Sequence, residues 1–155
     1  MSIALVLNLV TQAPYYYANY AFTGFATQGE RQFGCKADGI YELVGDTDAD
    51  DPIESRITTG LADFEEPALK TLTAVYLGYR ATGSLFLSTQ IGHSDGVQAL
   101  SYELGETPSA PVTTRIKLGK GVKARYWQLS VSNIGGSDFE IETLDILPVV
   151  LQRRI

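Results

Sequence analysis

The chain alternates short apolar runs with turn-forming residues, and this pattern predicts β-strands along nearly all of its length. The runs are rich in Val, Ile, Thr and Tyr, and Gly, Asn and Asp separate them. The segment LTAVYLGYR-ATGS-LFLSTQI, residues 72–91, predicts a β-hairpin. The segment NIGGSD, residues 133–138, predicts a turn into the last strand. We expect about nine to eleven short strands, mostly antiparallel.

The strand predicted around RYWQLSV, residues 125–131, has one apolar and one polar side. The apolar side holds Trp127, Leu129 and Val131, and the polar side holds Gln128, Ser130 and Ser132. Strict alternation of this kind indicates a strand with one buried face and one wetter face.

The last predicted strand changes phase along its length. Phe139 and Ile141 are at odd positions, whereas Leu144 and Ile146 are at even positions. Because side chains alternate between faces with a period of two, this shift predicts a β-bulge or bend near residues 142–143, or a strand that changes partner there. The segment most similar to a helix in its sequence pattern is LADFEEPALKTL, residues 61–72. Pro67 interrupts it, so we expect no more than one or two helical turns.

These elements predict an all-β fold, a single-domain β-sandwich or jelly roll covering residues 1–155. The chain is long enough for one domain with a real core. Residues 1–18 are expected to form an N-terminal arm or an edge strand used in assembly. Their apolar run IALVLNLV, residues 3–10, is too short to span a bilayer, so we expect a strand and no membrane insertion.

Charge is unevenly distributed along the chain, whose formal net charge is −6. This balance argues against nucleic acid as a partner. Residues 45–66 hold eight acidic side chains against the single Arg56, and residues 110–137 hold five basic side chains and no acidic one. The two stretches could neutralise each other within the fold, or could steer the acidic face of one subunit onto the basic face of another.

Catalytic chemistry has little support in the residue content. A single histidine, His93, excludes a zinc site built from several histidines, and the sequence GHSDG around it is typical of a turn. Nothing marks Ser94 or another serine as an activated nucleophile. We therefore predict a non-enzymatic protein without a cofactor. A polysaccharide-degrading enzyme with a pair of carboxylates remains an alternative.

The acidic stretch GDTDADDPIES, residues 45–55, partly matches a calcium-binding loop. Asp46, Asp48 and Asp50 reproduce the first ligand positions of an EF-hand. The match fails at Asp51, where the loop needs glycine, and at Ile57, where it needs a bidentate glutamate. A solvated connecting loop is the favoured interpretation, and a calcium site of another kind built on the three aspartates is the alternative.

The segment YYYANYAFTGF, residues 15–25, holds more aromatic side chains than one face of one strand can bury. Tyrosine combines apolar area with a polar tip and is well suited to interfaces. We predict that Tyr15, Tyr16, Tyr17 and Tyr20 form a subunit interface. A platform on which sugars stack is the alternative, and it would make the protein a module that binds host surface glycans.

A series of motifs resembles a module of tailed-bacteriophage virion proteins associated with the tail tip or baseplate. The motifs are NYAFTGFA, DGIYELVGDTD, DPI, TGLADF, VYLGY, RIKLGKGVKARYWQLSVSN and GSDFEIETLDILPVVLQRRI. They extend from about residue 19 to residue 155, and the portion KARYWQ, DFE and the final paired arginines is the most specific.

The resemblance implies a structural component of the phage tail, made in the cytoplasm of the bacterial host. Its partners would be copies of itself in a ring and other tail proteins, with a host surface glycan as a further candidate. Arg153 and Arg154, and with less support Arg125, are the basic residues that we expect at its interfaces. The resemblance carries no catalytic residue.

Overall fold

The computed structural model describes residues 2–45, 47–48, 50–93, 96–107, 110–119 and 121–151. The chain divides into two compact units, a first unit of residues 1–45 and a second unit of residues 46–155. We predicted a single domain over residues 1–155. The division does not test this prediction, because two compact units can belong to the same domain. Among the described residues there is no helix long and apolar enough to cross a membrane.

The described residues form fourteen β-strands and no helix, so the predicted all-β fold is confirmed. The strands are β1 (Ile3–Leu7), β2 (Pro14–Ala18), β3 (Gly24–Gln28), β4 (Arg31–Lys36), β5 (Gly39–Glu42), β6 (Thr47–Asp48), β7 (Asp51–Pro52), β8 (Arg56–Thr58), β9 (Lys70–Ala81), β10 (Leu85–His93), β11 (Gly96–Leu104), β12 (Val112–Lys117), β13 (Trp127–Asn133) and β14 (Phe139–Val150). All the pairings between them are antiparallel.

The first unit contains two small sheets. β1 and β2 form a hairpin, and β3, β4 and β5 form a three-stranded sheet in chain order. The turn of the hairpin is held by Asn8, whose side-chain oxygen accepts hydrogen bonds from the backbone N–H groups of Val10 and Thr11 at 2.9 and 3.0 Å. Asparagine favours such turns because its side chain can replace a backbone acceptor.

The second unit holds two larger sheets, with strand orders β11-β10-β13-β8 and β12-β9-β14. Their strands share one hydrophobic core, which is the sandwich-like arrangement that the sequence predicts. The core takes alternate side chains from both sheets: Val75, Leu77, Tyr79, Leu85, Leu87, Ile116, Trp127, Leu129 and Val131. The predicted apolar side of the Trp127 strand is therefore its buried side.

The prediction that residues 72–91 form a β-hairpin is wrong. Both predicted strands are present, but they do not pair with each other. β9 and β10 follow each other through residues 82–84, but they belong to different sheets and do not pair. Both strands bury apolar side chains in the core that the two sheets share. The chain therefore crosses from one sheet to the other at this turn, which a local turn signal does not distinguish from a hairpin.

The predicted change of phase in the last strand is confirmed. β14 changes register against β9 between Ile141 and Thr143. At this bulge Gly78 faces Thr143, and a Cβ at position 78 would lie 2.5 Å from the Thr143 Oγ1 atom. Any larger residue at position 78 would therefore have to displace the Thr143 hydroxyl group.

Fewer strands were predicted than are observed, and the acidic stretch explains part of the difference. β6 and β7 are two residues each and pair as a minimal hairpin, with Thr47 opposite Pro52 and Asp48 opposite Asp51. A strand of two residues is too short to show alternation of apolar and polar side chains, so the sequence pattern could not reveal β6 and β7. In segment 61–72 the structure has a turn at residues 64–65 in place of helix.

Lys70, at the start of β9, is fully buried, with 0% of its surface exposed. Its ammonium group donates hydrogen bonds to the backbone carbonyls of Glu66 at 2.6 Å and Arg125 at 2.8 Å. Its backbone also exchanges two hydrogen bonds with Ala124, at 2.9 and 3.0 Å. Lys70 thus joins the loop before β9 to the segment before β13.

Candidate assembly surface

The β1–β2 hairpin presents an apolar surface to solvent. In an antiparallel pair, residues directly opposite each other point to the same face of the sheet. The resulting face, called here the outer hairpin face, consists of three cross-strand pairs: Ile3 with Ala18, Leu5 with Tyr16, and Leu7 with Pro14. Ile3, Leu5 and Tyr16 are 65%, 66% and 72% exposed. Such a contiguous exposed apolar face is typical of an interaction site.

The other face of the hairpin carries aromatic side chains that contact one another. The ring of Tyr17 lies between those of Tyr15 and Tyr20, at centroid distances of 6.2 and 5.5 Å. Tyr20 packs edge-on against Phe22 at 4.8 Å and stacks on Phe25 at 6.0 Å. Together these five rings form the aromatic cluster of the first unit, whose edge-to-face and offset contacts are the favourable geometries for aromatic pairs.

The aromatic cluster rests on the three-stranded sheet. Phe22 packs so closely against β4 that a Cβ on Gly34 would lie 2.5 Å from its ring. The Lys36 ammonium lies over the rings of Phe22 and Tyr41, at 4.7 and 4.9 Å from their centroids. A cation in this position is attracted by the negative face of each ring.

The four predicted interface tyrosines therefore lie in two different environments. Tyr16 belongs to the outer hairpin face, whereas Tyr15, Tyr17 and Tyr20 belong to the aromatic cluster. Their role at an interface, and the alternative role in sugar stacking, both stay predictions.

The aliphatic residues of β1 were not named individually as interface residues, although residues 1–18 were expected to serve in assembly and the sequence carried a further signal for them. The strand IALVL has apolar residues on both faces, and a strand of this kind needs a cover on each side. The structure leaves one of those faces, with Ile3, Leu5 and Leu7, open to solvent.

Charge is absent from the whole segment that builds this surface. Residues 2–29 contain no Asp, Glu, Lys, Arg or His. The buried centres of protein interfaces are depleted in charged residues and enriched in aromatic ones.

The β1–β2 sheet has only two strands in the described part of the chain, so each strand has one edge without a partner. A two-stranded sheet gains stability from packing on both faces, and among the described residues only the face with Tyr15 and Tyr17 is packed in this way.

An ion pair links two strands of the three-stranded sheet. Arg31 on β4 donates two hydrogen bonds to the carboxylate of Glu42 on β5, one of them from Nε to Oε1 at 2.6 Å. The hydrogen bond from Arg31 is the main reason that the pKa of Glu42 lies below its ordinary value of 4.5. The guanidinium group of Arg31 also lies over the Phe33 ring at 5.0 Å.

We expect the carboxyl group of Glu42 to titrate below pH 4.5 in the folded protein and to return toward that value in Arg31→Gln. Because the unfolded chain takes up this proton at a higher pH, the pair stabilises the fold above about pH 4.5. This contribution is lost as the pH falls through the lower folded pKa. Carboxyl NMR titration measures the midpoint. Arg80→Gln, which removes the partner of Glu140, should leave the Glu42 midpoint in place, and an unchanged midpoint in Arg31→Gln would contradict the assignment.

Of the three arginines predicted at interfaces, only Arg125 lies within the described residues. Arg125 is exposed, lies just after the bridge residue Ala124 in the second unit, and accepts a hydrogen bond from Lys70 at its backbone carbonyl. Arg153 and Arg154 lie outside the described residues. The assignment of all three to interfaces stays a prediction.

The candidate residues for a calcium site or a catalytic site do not form a cluster in the described part of the chain. Asp48 is on β6, Asp50 occupies the turn with φ of 74°, and Asp46 lies outside the described residues. Among the residues that the structure describes, no three Asp, Glu, His or Cys side chains are grouped so that they could hold a metal ion. Ser94 and the side chain of His93 also lie outside the description. The calcium site and the carboxylate pair therefore remain alternatives.

A comparison of the chain with protein-family models, with curated proteins and with solved structures finds no match in any of the three.

Proposed function

We propose that this protein is a non-enzymatic structural component of a tailed-phage virion, at the tail tip, the baseplate or a tail appendage. The observation that carries the assembly role is the outer hairpin face, an exposed apolar surface on a segment without charge. The phage context is supported by the motif series, above all KARYWQ and DFE. In this proposal the outer hairpin face packs against a neighbouring copy of the chain.

A second copy is the partner that we propose for the outer hairpin face. The chain has a formal net charge of −6, so copies of it repel one another over most approaches. Contact through residues 2–29 places no like charges opposite each other at the interface, because this segment carries no charged side chain. Tyr16 and Leu5 stand opposite each other at the middle of the face and would be the central anchors of the contact.

Charged stretches of the second unit supply a further contact for assembly. Among the described residues the ion pairs join Arg31 to Glu42 and Arg80 to Glu140. Neither pair joins the acidic stretch 45–66 to the basic stretch 110–137, and Arg115 in the basic stretch lies over the ring of Tyr76 at 5.8 Å. In this proposal, the described charged side chains of the two stretches meet those of a neighbouring subunit.

Three measurements test the proposal. Mass spectrometry of purified particles of the phage that encodes this chain should detect it in a fixed ratio to the major tail proteins, and labelled antibodies should place it on the tail. Light scattering on the purified protein should give a closed oligomer with a single mass. Consistent absence from virions would exclude the virion role, and a monomer at every concentration would exclude self-assembly through the hairpin.

A further inference from the structure

The outer face of the four-stranded sheet in the second unit is organised into rows of side chains. The strand registers place one residue of each strand in line across the sheet. The first row is Glu103, Phe86, Ser132 and Arg56, and the second row is Ser101, Ser88, Ser130 and Thr58. With strand spacings near 4.8 Å, each row is about 14 Å long. The sheet thus has a line of hydroxyl groups beside a row with one aromatic ring.

A groove with a volume of about 560 Å³ runs beside the first row. Its lining includes Phe86 and Ser132 from the sheet, Glu54 and Arg56 from the edge, and the turn at residues 134–135. The volume is in the range of small-molecule sites. Phe86 is 38% exposed, so part of its ring is open to the groove.

The walls of the groove are held in place by Asn133. Its side-chain oxygen accepts a hydrogen bond from the Ser55 N–H at 2.8 Å. Its amide nitrogen donates to the carbonyls of Ile53 at 2.9 Å and Ser137 at 3.1 Å. One side chain therefore ties the segment before β8 to the turn after β13. A groove fixed in this way requires little reordering when a ligand enters.

The charged groups around the groove have no ion-pair partner among the described residues. Neither Glu54 nor Arg56 forms an ion pair with another described residue. Asn133, in contrast, uses its side chain within the protein. A carboxylate that accepts, a guanidinium that donates, a serine hydroxyl and an open aromatic face are therefore available together in one groove.

We propose that this groove binds an uncharged oligosaccharide. Sugar hydroxyl groups both donate and accept hydrogen bonds, so they fit Glu54 and Arg56 at once, and the apolar C–H face of a sugar ring fits the open face of Phe86. The opposite charges of Glu54 and Arg56 give the groove no net preference for an anion.

The site differs from the tyrosine platform that the sequence suggests, since it is in the second unit and uses none of the tyrosines. It also does not depend on the proposed virion role. Loss of glycan binding and loss of assembly are separate results, because the groove and the outer hairpin face share no residue.

Calorimetry on the full chain tests the proposal with five probes: maltotriose, cellotriose, mannotriose, N-acetylated chitotriose and the acidic trigalacturonate. We expect at least one neutral trisaccharide to bind with a Kd on the order of 1 mM or tighter. Phe86→Ala and Arg56→Gln should each weaken that binding by about tenfold or more. Arg56→Gln is the second variant because Arg56 is exposed on an edge strand and its replacement leaves the core intact.

Two matched variants show where the glycan binds. Phe25→Ala removes an exposed phenylalanine of the first unit, and Tyr16→Ser removes the exposed tyrosine of the outer hairpin face. Both should keep wild-type affinity, while circular dichroism and thermal unfolding confirm that every variant is folded. The proposal is overturned if no neutral probe binds, if only trigalacturonate binds, or if binding is lost in Tyr16→Ser and kept in Phe86→Ala.

Discussion

Leu5→Lys is expected to convert the assembled protein into single chains, with self-association weakened on the order of 100-fold or more. Leu5 is at the middle of the outer hairpin face, opposite Tyr16 and 66% exposed. In a contact between identical faces, one substitution places a lysine in both copies. The interface would then contain two charged groups without partners, and each would have to lose its water. Sedimentation velocity or light scattering over a range of concentrations measures the effect.

Leu61→Lys is the matched control, because Leu61 is also an exposed leucine and belongs to the second unit instead of the hairpin. It should assemble as the wild type does. Because Leu5 is already mostly exposed, its replacement should leave the circular dichroism spectrum unchanged. A Leu5→Lys protein that assembles at wild-type concentrations would show that the outer hairpin face is not the contact.

Lys70→Ala is expected to lower the free energy of unfolding by about 3–5 kcal/mol. The substitution leaves the carbonyls of Glu66 and Arg125 without their donor, and it opens a cavity where the lysine stem packs. An unpaired buried polar group costs about 1–3 kcal/mol, and the cavity adds to this cost. Denaturant unfolding, with the slope checked for two-state behaviour, measures the change.

Two further lysine variants separate the causes of this loss. Lys117→Ala changes an exposed lysine on β12 and should change stability by no more than about 0.5 kcal/mol. Lys70→Met keeps most of the side-chain volume but not the donors, so its loss should be intermediate and should reflect the two hydrogen bonds. A Lys70→Ala protein as stable as Lys117→Ala would mean that the ammonium group does not hold the two segments together.

The strand pattern could be predicted from the chain because it depends on local alternation. Trp127, Leu129 and Val131 alternate with more polar positions, and the structure packs these three side chains into the core. The change of parity between Ile141 and Leu144 predicted a bulge, a bend or a change of partner, and β14 has a register shift between Ile141 and Thr143. In each case the side-chain period of two translates directly into a face of a sheet.

The two faces of the N-terminal hairpin could be predicted only in part. The surplus of tyrosines indicated that some of them remain outside a core. Which ones do so depends on the pairing of β2 with β1 and on the later residues that pack against Tyr17. The apolar composition of both faces was visible in the sequence, whereas the face that stays open to solvent was decided by the tertiary structure.

The residues of the groove come from distant parts of the chain. Arg56, Phe86 and Ser132 reach one row only because the strand registers align them. Asn133 binds residues 78 and 80 positions away in sequence, and Lys70 bonds to a carbonyl 55 positions away. Local periodicity therefore determines which side of a strand is buried, since it is set by backbone geometry. The neighbours of each side chain depend on long-range pairing and loop closure, which no short segment specifies.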